Sequence, residues 1–476
     1  MARGTKEQFK KILGGRLFET PLPKPSPASK ERRPARLAEL LPDNFSFFPE
    51  IARSLRSKNF FIFFCGQIFS LAGIWIQQIA MSWLVLDLSP EDSYFYFSCV
   101  VFLANIPTLF ITPVSGAACD VFSRKKILLC TQTAMMLLTF ALAFLTLSGL
   151  ITIPAIMALS FLLGVAVSFD APARQSFYCE LVPMENLGNA IALNSIAFNG
   201  TRLVGPAIGG VLIGIVGEGW CFFINAAAFL AVIGALLLIK TGGRPAPEAS
   251  KTNPALKIWE GLAYTVKSVP LRSILALLTA FSFFGAPFAM VFPAFVRDAL
   301  NLGTFELGAL MSCIGLGALA AAIYLAARKS VLGLGKVAML SCILFGAAEI
   351  AMSLASSACA AAIICVPMGF CLISVAASCN TLLQTIVDDE KRGRIMSLFT
   401  MAIFGVPPLG AFLFGVCSDI FGIRAVMAVC ACCCVITGLI FLRQRPIVRK
   451  HTRAIYIKKG IISEIAAGLN SASKRP

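Results

Sequence analysis

Apolar residues run along this chain in blocks of about 20, separated by short polar segments. A block of that length crosses the roughly 30 Å hydrocarbon core of a bilayer as an α-helix. Helices and closed barrels are the only spanning structures that satisfy every backbone polar group there. Barrel strands would alternate with period two, and these blocks do not, so they predict helices. The predicted spans are 59–87, 93–118, 125–148, 150–169, 188–215 and 219–239, then 271–296, 305–327, 336–357, 359–382, 395–417 and 421–442. The expected fold class is an all-α membrane protein with 12 transmembrane helices in two pseudo-symmetric six-helix bundles.

The polar breaks divide the chain further. Residues 1–57 form a basic N-terminal extension, 58–240 the first bundle, 241–270 a linker, 271–443 the second bundle and 444–476 a basic tail. Phe9, Leu13 and Leu17 share one face of an amphipathic helix predicted within Met1–Phe18. No apolar h-region follows the early Lys and Arg, so no signal peptide is expected. In the linker, Asn253-Pro254 reads as a helix start, with Leu256, Trp259, Leu262, Ala263 and Val266 at helical spacing behind it. A short amphipathic helix on the inner membrane face is predicted there. The halves also echo each other. Gly205-Pro206-Ala207-Ile208-Gly209 followed by Gly214 returns, 201 residues later, as Val406-Pro407-Pro408-Leu409-Gly410 followed by Gly415. Internal repeats of this kind are how many transporters build alternating access around a midplane site.

Composition agrees with the pattern. Of 476 residues, 58% are hydrophobic and 14% charged, where a soluble chain carries about 25% charged. The net charge of +17 resembles a nucleic-acid signal until the charges are placed. With the N-terminus in the cytosol, inner segments hold 38 of the 41 Lys and Arg. Outer loops hold Arg297 and Arg424, and Arg202 lies within a span. This is the positive-inside pattern, so both termini are assigned to the cytosol and no nucleic-acid partner is expected. Most of the 17 cysteines lie in apolar runs, where they act as small hydrophobes. None has metal-site spacing, and the single histidine, His451, sits in the basic tail. No metal, cofactor or disulfide is expected.

Three motifs narrow the class. Between spans two and three, Gly116-Ala117-Ala118-Cys119-Asp120 is followed by Arg124-Lys125-Lys126. It reads either as a small-residue helix end with inside-positive charges or as something more specific, because a carboxylate at the membrane boundary is costly unless paired or capping a helix. At the inner end of span four, Asp170-Ala171-Pro172-Ala173-Arg174-Gln175 reads as a helix stop with a solvated ion pair, or as a signature. In span five, Gly205-Pro206-Ala207-Ile208-Gly209-Gly210 combines a freed carbonyl with glycines for close helix contact.

These runs resemble the major facilitator superfamily. The first is similar to its motif A, which in that family latches the two halves on the cytoplasmic side; Val121 stands where a basic residue is usual and Ser123 where Gly is usual. The second resembles a signature of the prokaryotic exporter branch that includes the enterobactin exporter. Asn59-Phe60 to Gly66-Gln67, Trp83-Leu84-Val85-Leu86, Ala190 to Ser195 and Arg202 to Pro206 match that branch too. The third resembles motif C, which marks exporters and antiporters, with Thr201 where Gly is expected. The resemblance spans about residues 54–443 and is denser in the first half. It implies the major facilitator fold, with spans two, five, eight and eleven at the contact between halves. Gly308, Gly315, Gly410 and Gly415 suit such a contact. It also implies a cavity lined by spans one, four, seven and ten. Gln67, Ser70 and Gln77 share one face of span one, and Trp75, Gln78, Phe281, Phe284, Ser378 and Asn380 are further lining candidates. For any one of them, helix packing is the plainer reading. Such a mostly apolar lining with a few amides suits a bulky amphipathic solute.

Two charges lie deep in spans, Arg202 and Glu349. Both are costly there and are candidates for structure, gating or proton coupling. The branch's usual arginine in span four is replaced by Ser160, and ninth spans in this fold are usually peripheral. No phosphate-binding loop occurs, which argues against ATP as the direct driver, and no nucleophile, metal cluster or carboxylate pair points to an enzyme. The expectation is a monomeric, proton-driven exporter of small organic solutes, siderophore-like or drug-like, in the cell inner membrane. The alternatives are an importer or facilitator of nutrients or lysolipids on the same fold, and a non-transporting sensor or scaffold.

Overall fold

The computed structural model describes residues 50–89, 93–239, 262–328, 330–388 and 391–459. The helix expected within Met1–Phe18, most of the linker and the end of the tail lie outside the described residues. What is described is helical from end to end. The helices are α1 (Lys58–Leu88), α2 (Ser93–Val121), α3 (Arg124–Leu147) and α4 (Ile153–Leu181). A continuous element, Met184–Leu238, follows. In the second half come α7 (Val269–Ala299), α8 (Thr304–Ala326), α9 (Leu334–Ser353), α10 (Ala358–Ile386), α11 (Arg392–Phe421) and α12 (Ile423–Lys458).

Eleven of these elements are long and apolar enough to cross a membrane. The 55-residue element Met184–Leu238 would reach about 80 Å as one rod, far more than one bilayer. It breaks at Gly217, whose φ of 79° and ψ of 172° belong to a region that side chains with a Cβ avoid. The break yields α5 (184–216) and α6 (218–238), hence twelve spans. Gly422, with φ of 83°, makes the corresponding turn between α11 and α12. An even number of spans returns both chain ends to one side, here called the base; the opposite side is the crown.

Each half is built by the same pairings. In the first, α2 packs on α4, α3 on α4 and α6, and α1 on α5 and α6; in the second, α8 packs on α10, α9 on α10 and α12, and α7 on α11 and α12. Glycines permit the closest approaches. A Cβ on Gly66 of α1 would lie 2.8 Å from the Ala231 carbonyl of α6, and one on Gly346 of α9 would lie 2.6 Å from that of Ala431 on α12. Two helix pairs make most of the contact between the halves, α5 with α8 and α2 with α11, beside a smaller one of α1 with α7. They exchange places under the pseudo-twofold that relates α2 to α8 and α5 to α11, as the 201-residue repeat implied.

Two helices run longer than their apolar blocks. α4 continues through Pro172 to Leu181, because Asp170 and Arg174 neutralise each other inside the bundle. α12 continues through Pro446 to Lys458, because Val448, Thr452 and Tyr456 bury one face at four-residue spacing. Beyond it, the Lys459 ammonium donates to the carbonyls of Thr385 (2.9 Å) and Val387 (2.6 Å), which closes the base end of α10. Of the linker helix, residues 262–267 are described. Thr265 is buried, Leu262 and Val266 are exposed, and the Tyr264 hydroxyl donates to Asp388 at 3.2 Å. Residues 50–57, assigned to the extension, dock on the first bundle. The Ser54 amide donates to Asn189 Oδ1 at 2.9 Å, and the Ser57 hydroxyl donates to the Leu181 carbonyl at 2.8 Å.

Candidate functional site

The seam between the halves is tight at the crown. A Cβ on Gly210 (α5) would strike the Thr304 carbonyl and meet Gly308 Cα at 3.2 Å. One on Gly308 (α8) would lie 2.5 Å from the Pro206 carbonyl and 3.2 Å from Ala207 Cα. Gly315 faces Leu203 Cα at 2.9 Å in the same sense, and Gly415 (α11) faces Ser98 and the Tyr94 carbonyl of α2. Gly410 instead packs on Phe283 and Pro287 of α7, within its own half. Gly205 and Gly209 seat α5 on Trp75 and Ile76 of α1. The run read as motif C is therefore a node where α1, α5 and α8 meet backbone to backbone. Pro206 continues the helix and turns its carbonyl to Gly308.

Polar groups close the same end. Arg297 of α7 pairs with Asp87 of α1 at 3.1 Å and lies 5.9 Å over the Trp83 ring. Asp419, at the C-terminus of α11, accepts from the backbone amides of Phe95 (2.7 Å) and Tyr94 (3.3 Å). It thus caps the first turn of α2 across the seam, where the helix dipole favours an anion. The sequence reading missed this network. A signal was present: Gly415, Asp419 and Phe421 keep the spacing of Gly116, Asp120 and Phe122.

The base is open by contrast. A Cβ on Gly116, Gly188 or Gly393 would meet nothing within 4 Å. The motif A bases bind within their own half: Arg124 pairs with Glu180 of α4 at 2.9 Å, and the Lys125 ammonium donates to the Ile239 carbonyl at 2.7 Å. Asp120 lies in the last turn of α2, and its side chain is outside the description. The described glycines thus bring the halves together at the crown and at mid-depth, and none at the base meets the opposite half.

The span-four signature is a buried clamp. Asp170, 6% exposed, takes both Nε (2.9 Å) and Nη2 (2.7 Å) of Arg174 on one oxygen. Its other oxygen takes Thr131 Oγ1 (2.9 Å) and Gln132 Nε2 (2.7 Å) from α3. Pro172 is partly buried and Gln175 exposed. The solvated ion pair considered for this run is therefore not what the structure holds, because α4 carries both partners inside the bundle.

Of the cavity candidates, some turn inward to their own bundle and some are exposed. Gln67 is 3% exposed and donates to Asn194 Oδ1, with the Tyr178 hydroxyl 2.8 Å from its Oε1. Gln77 accepts from Asn225 of α6 and from Thr139 of α3. Phe281 packs edge-on against Phe345, 5.1 Å between centroids, and Ser378 is fully buried. Trp75 is partly exposed, with its ring 6.4 Å from that of Phe198; Gln78 is exposed. Phe284 and Asn380 are partly exposed, the latter accepting from Gln384 at 2.9 Å. Arg202 is partly exposed on the face of α5 that carries Gly205 and Pro206. Trp75 and Phe198 thus pair between α1 and α5, with Gln78 one turn along α1 and Arg202 one turn along α5 on the same faces.

Glu349 sits elsewhere. It is 0% exposed, one turn from Gly346 on the face of α9 that meets α12, and neither carboxyl oxygen has a hydrogen-bond partner. An unpaired carboxylate there would cost several kcal/mol, so the site suits a neutral group. Glu349→Gln is expected to keep folding stability within about 1 kcal/mol of the natural protein, and Glu349→Lys to lower it by several. Thermal unfolding in detergent checks both. A large loss for the glutamine variant would reveal a charged, partnered glutamate.

Residues 52–457 match the model of a family described as transmembrane secretion effector. A staphyloferrin A transporter of Staphylococcus aureus is 24% identical over 366 residues, covering 76% of this chain and 90% of the relative. A multidrug efflux pump, Tap, of Mycolicibacterium fortuitum is 25% identical over 362 residues, 74% of this chain and 88% of the pump. Among solved structures, a bacterial homologue of the human lysosomal transporter Spinster, in an inward-facing unoccupied conformation, superposes with a TM-score of 0.63 at 15% identity. It covers 83% of this chain and 98% of its own. A bacterial ferroportin homologue in an inward-facing state gives 0.60 at 16% identity, covering 81% and 98%. With twelve spans in two matching halves and a family match over most of its length, this chain belongs to the transmembrane secretion effector family of major facilitator transporters.

Proposed function

We propose that the protein is a secondary exporter of small organic, amphipathic solutes across the cell inner membrane, working by rocking its two halves about the α5–α8 and α2–α11 seams. What supports this reading is the contrast between glycine-tight contacts at the crown and open glycines at the base, with exposed or partly exposed aromatic, amide and cationic side chains between them; the halves are read as a wedge that opens at the base. Its residues take distinct parts. Gly210, Gly308 and Pro206 let the seam close, and Asp419, Asp87 and Arg297 hold the crown shut. The Gly116–Lys125 run is placed to close the base when the crown parts. Trp75, Gln78 and Phe198 contact solute. The motif C resemblance and a relative named as an efflux pump support the outward direction. The positive-inside charge pattern supports cytoplasmic termini.

Protons are the proposed coupling ion. Glu349, sealed inside the second half, is left to structure. The test uses inverted membrane vesicles energised with a proton gradient and a panel of labelled siderophores and dyes. Accumulation that collapses with an uncoupler supports the reading. Uptake by right-side-out cells with none by inverted vesicles would make the protein an importer.

A further inference from the structure

Charged side chains inside the spans are answered almost everywhere. Asp170 has Arg174, Glu180 has Arg124, and Asp87 has Arg297. Arg424 donates to the carbonyls of Ser353 (2.6 Å), Ala355 (2.8 Å) and Ala299 (2.6 Å). Arg202 is the exception among the described cations away from the span ends. It lies roughly midway between Met184 and the Gly217 break, at the depth where an arginine is most costly. Yet among the described residues no carboxylate, carbonyl or ring meets its guanidinium, and it remains partly exposed. Glu349, a described carboxyl deep in a span that also lacks a hydrogen-bond partner, is sealed between α9 and α12 and cannot serve it.

We propose that Arg202 is the docking point for an anionic group, a carboxylate or phosphate, of the solute this carrier moves. The proposal rests on the transporter reading above and gives it a substrate class, organic anions. The guanidinium fork matches a carboxylate or phosphate bidentately, and in a cleft of low dielectric such a bond is strong. The neighbours fit the rest of such a molecule. Phe198, one turn towards the base, is 47% exposed, its ring 6.4 Å from that of Trp75, and Gln78 stands exposed one turn along α1. Together they offer an apolar wall, an amide and one fixed positive charge. With no carboxylate beside it, that charge repels cationic solutes as it attracts anionic ones.

Two dyes with one ring system separate the possibilities: fluorescein, a carboxylate, and rhodamine 6G, a cationic ester. Binding of each to the full-length protein is read by fluorescence polarisation in nanodiscs of neutral phosphatidylcholine, independently of transport. The natural protein is expected to bind fluorescein more tightly than rhodamine 6G. Arg202→Gln should weaken fluorescein about tenfold or more, Arg202→Lys by less, and both should leave the melting temperature unchanged. Equal binding of the two dyes, or a preference that Arg202→Gln does not alter, would overturn the proposal. Loss of fluorescein binding on adding phosphatidylglycerol would assign the arginine to a lipid headgroup and overturn it as well. Uncoupler-sensitive accumulation of rhodamine 6G but not fluorescein in inverted vesicles would sink the anion class and leave the exporter standing. Specific fluorescein binding without accumulation of any compound would sink the exporter and leave the anion site.

Discussion

Asp170→Ala is expected to destabilise the first bundle by about 3–5 kcal/mol, among the largest losses any single substitution in this chain can cause. The carboxylate answers four donors on two helices: Nε and Nη2 of Arg174, the Thr131 hydroxyl and the Gln132 amide. Arg174 also stacks over Phe63, 5.9 Å from the ring centre, so it cannot swing out to water without leaving that contact. Removing Asp170 leaves a buried cation and a buried amide unanswered together. Asp170→Asn should fall between, because its single carbonyl oxygen can accept from one side only. Replacing both Asp170 and Arg174 with leucine should recover much of the loss, since the unpaired charge goes with its partner. Denaturation in detergent, run as a double-mutant cycle, measures this. If Asp170→Ala unfolds like the natural protein, the clamp is not formed in the membrane.

Gly308→Leu is expected to abolish transport while leaving each half folded. A Cβ at 308 would already press to 2.5 Å on the Pro206 carbonyl, which is backbone and cannot turn aside. Overpacking of this kind costs about 1–3 kcal/mol, borne only when the crown is closed. That bias moves a two-state equilibrium roughly 10- to 100-fold towards the crown-open form. Gly188→Ala is the control, since nothing lies within 4 Å of a Cβ there. The rate of dye accumulation in vesicles and the melting temperature are read together. Loss of transport with a near-natural melting temperature at 308, and neither change at 188, is the expected pattern. Equal behaviour of the two variants would contradict a seam that closes on glycine.

Much of the architecture is written in the apolar blocks, because lipid demands continuous hydrogen-bonded helices and so fixes both element type and length. The seam was legible too: Gly308, Gly315 and Gly415 stand between the halves, since only small residues let backbones approach. Gly410 shows the limit, because a small residue marks a close contact without saying with which helix. The amides of α1 show another. Gln67, Ser70 and Gln77 share a face by spacing, but spacing does not say which face turns to the cleft, and the structure turns Gln67 and Gln77 into bundle networks. Charges at helix ends were hardest to place. Asp87, Arg297 and Asp419 resemble ordinary loop charges until two halves distant in sequence bring them together. The recurrence of the Gly116–Phe122 pattern at Gly415–Phe421 is the one local trace of that pairing.

The claim at the centre of this account is that solute crosses because crown and base open in alternation. Distances across each end test it most directly. Spin labels at Leu150 and Leu354, both exposed in crown loops, and at Phe122 and Leu332, both exposed at the base, report the two ends separately. They are introduced as unnatural side chains, because 17 native cysteines preclude thiol labelling. Dipolar spectroscopy in lipid, with and without transported dye and at low and neutral pH, then follows both pairs. The account predicts reciprocal change: conditions that lengthen the crown distance shorten the base distance. Two distances that stay fixed while dye is transported, or that lengthen and shorten together, would contradict it.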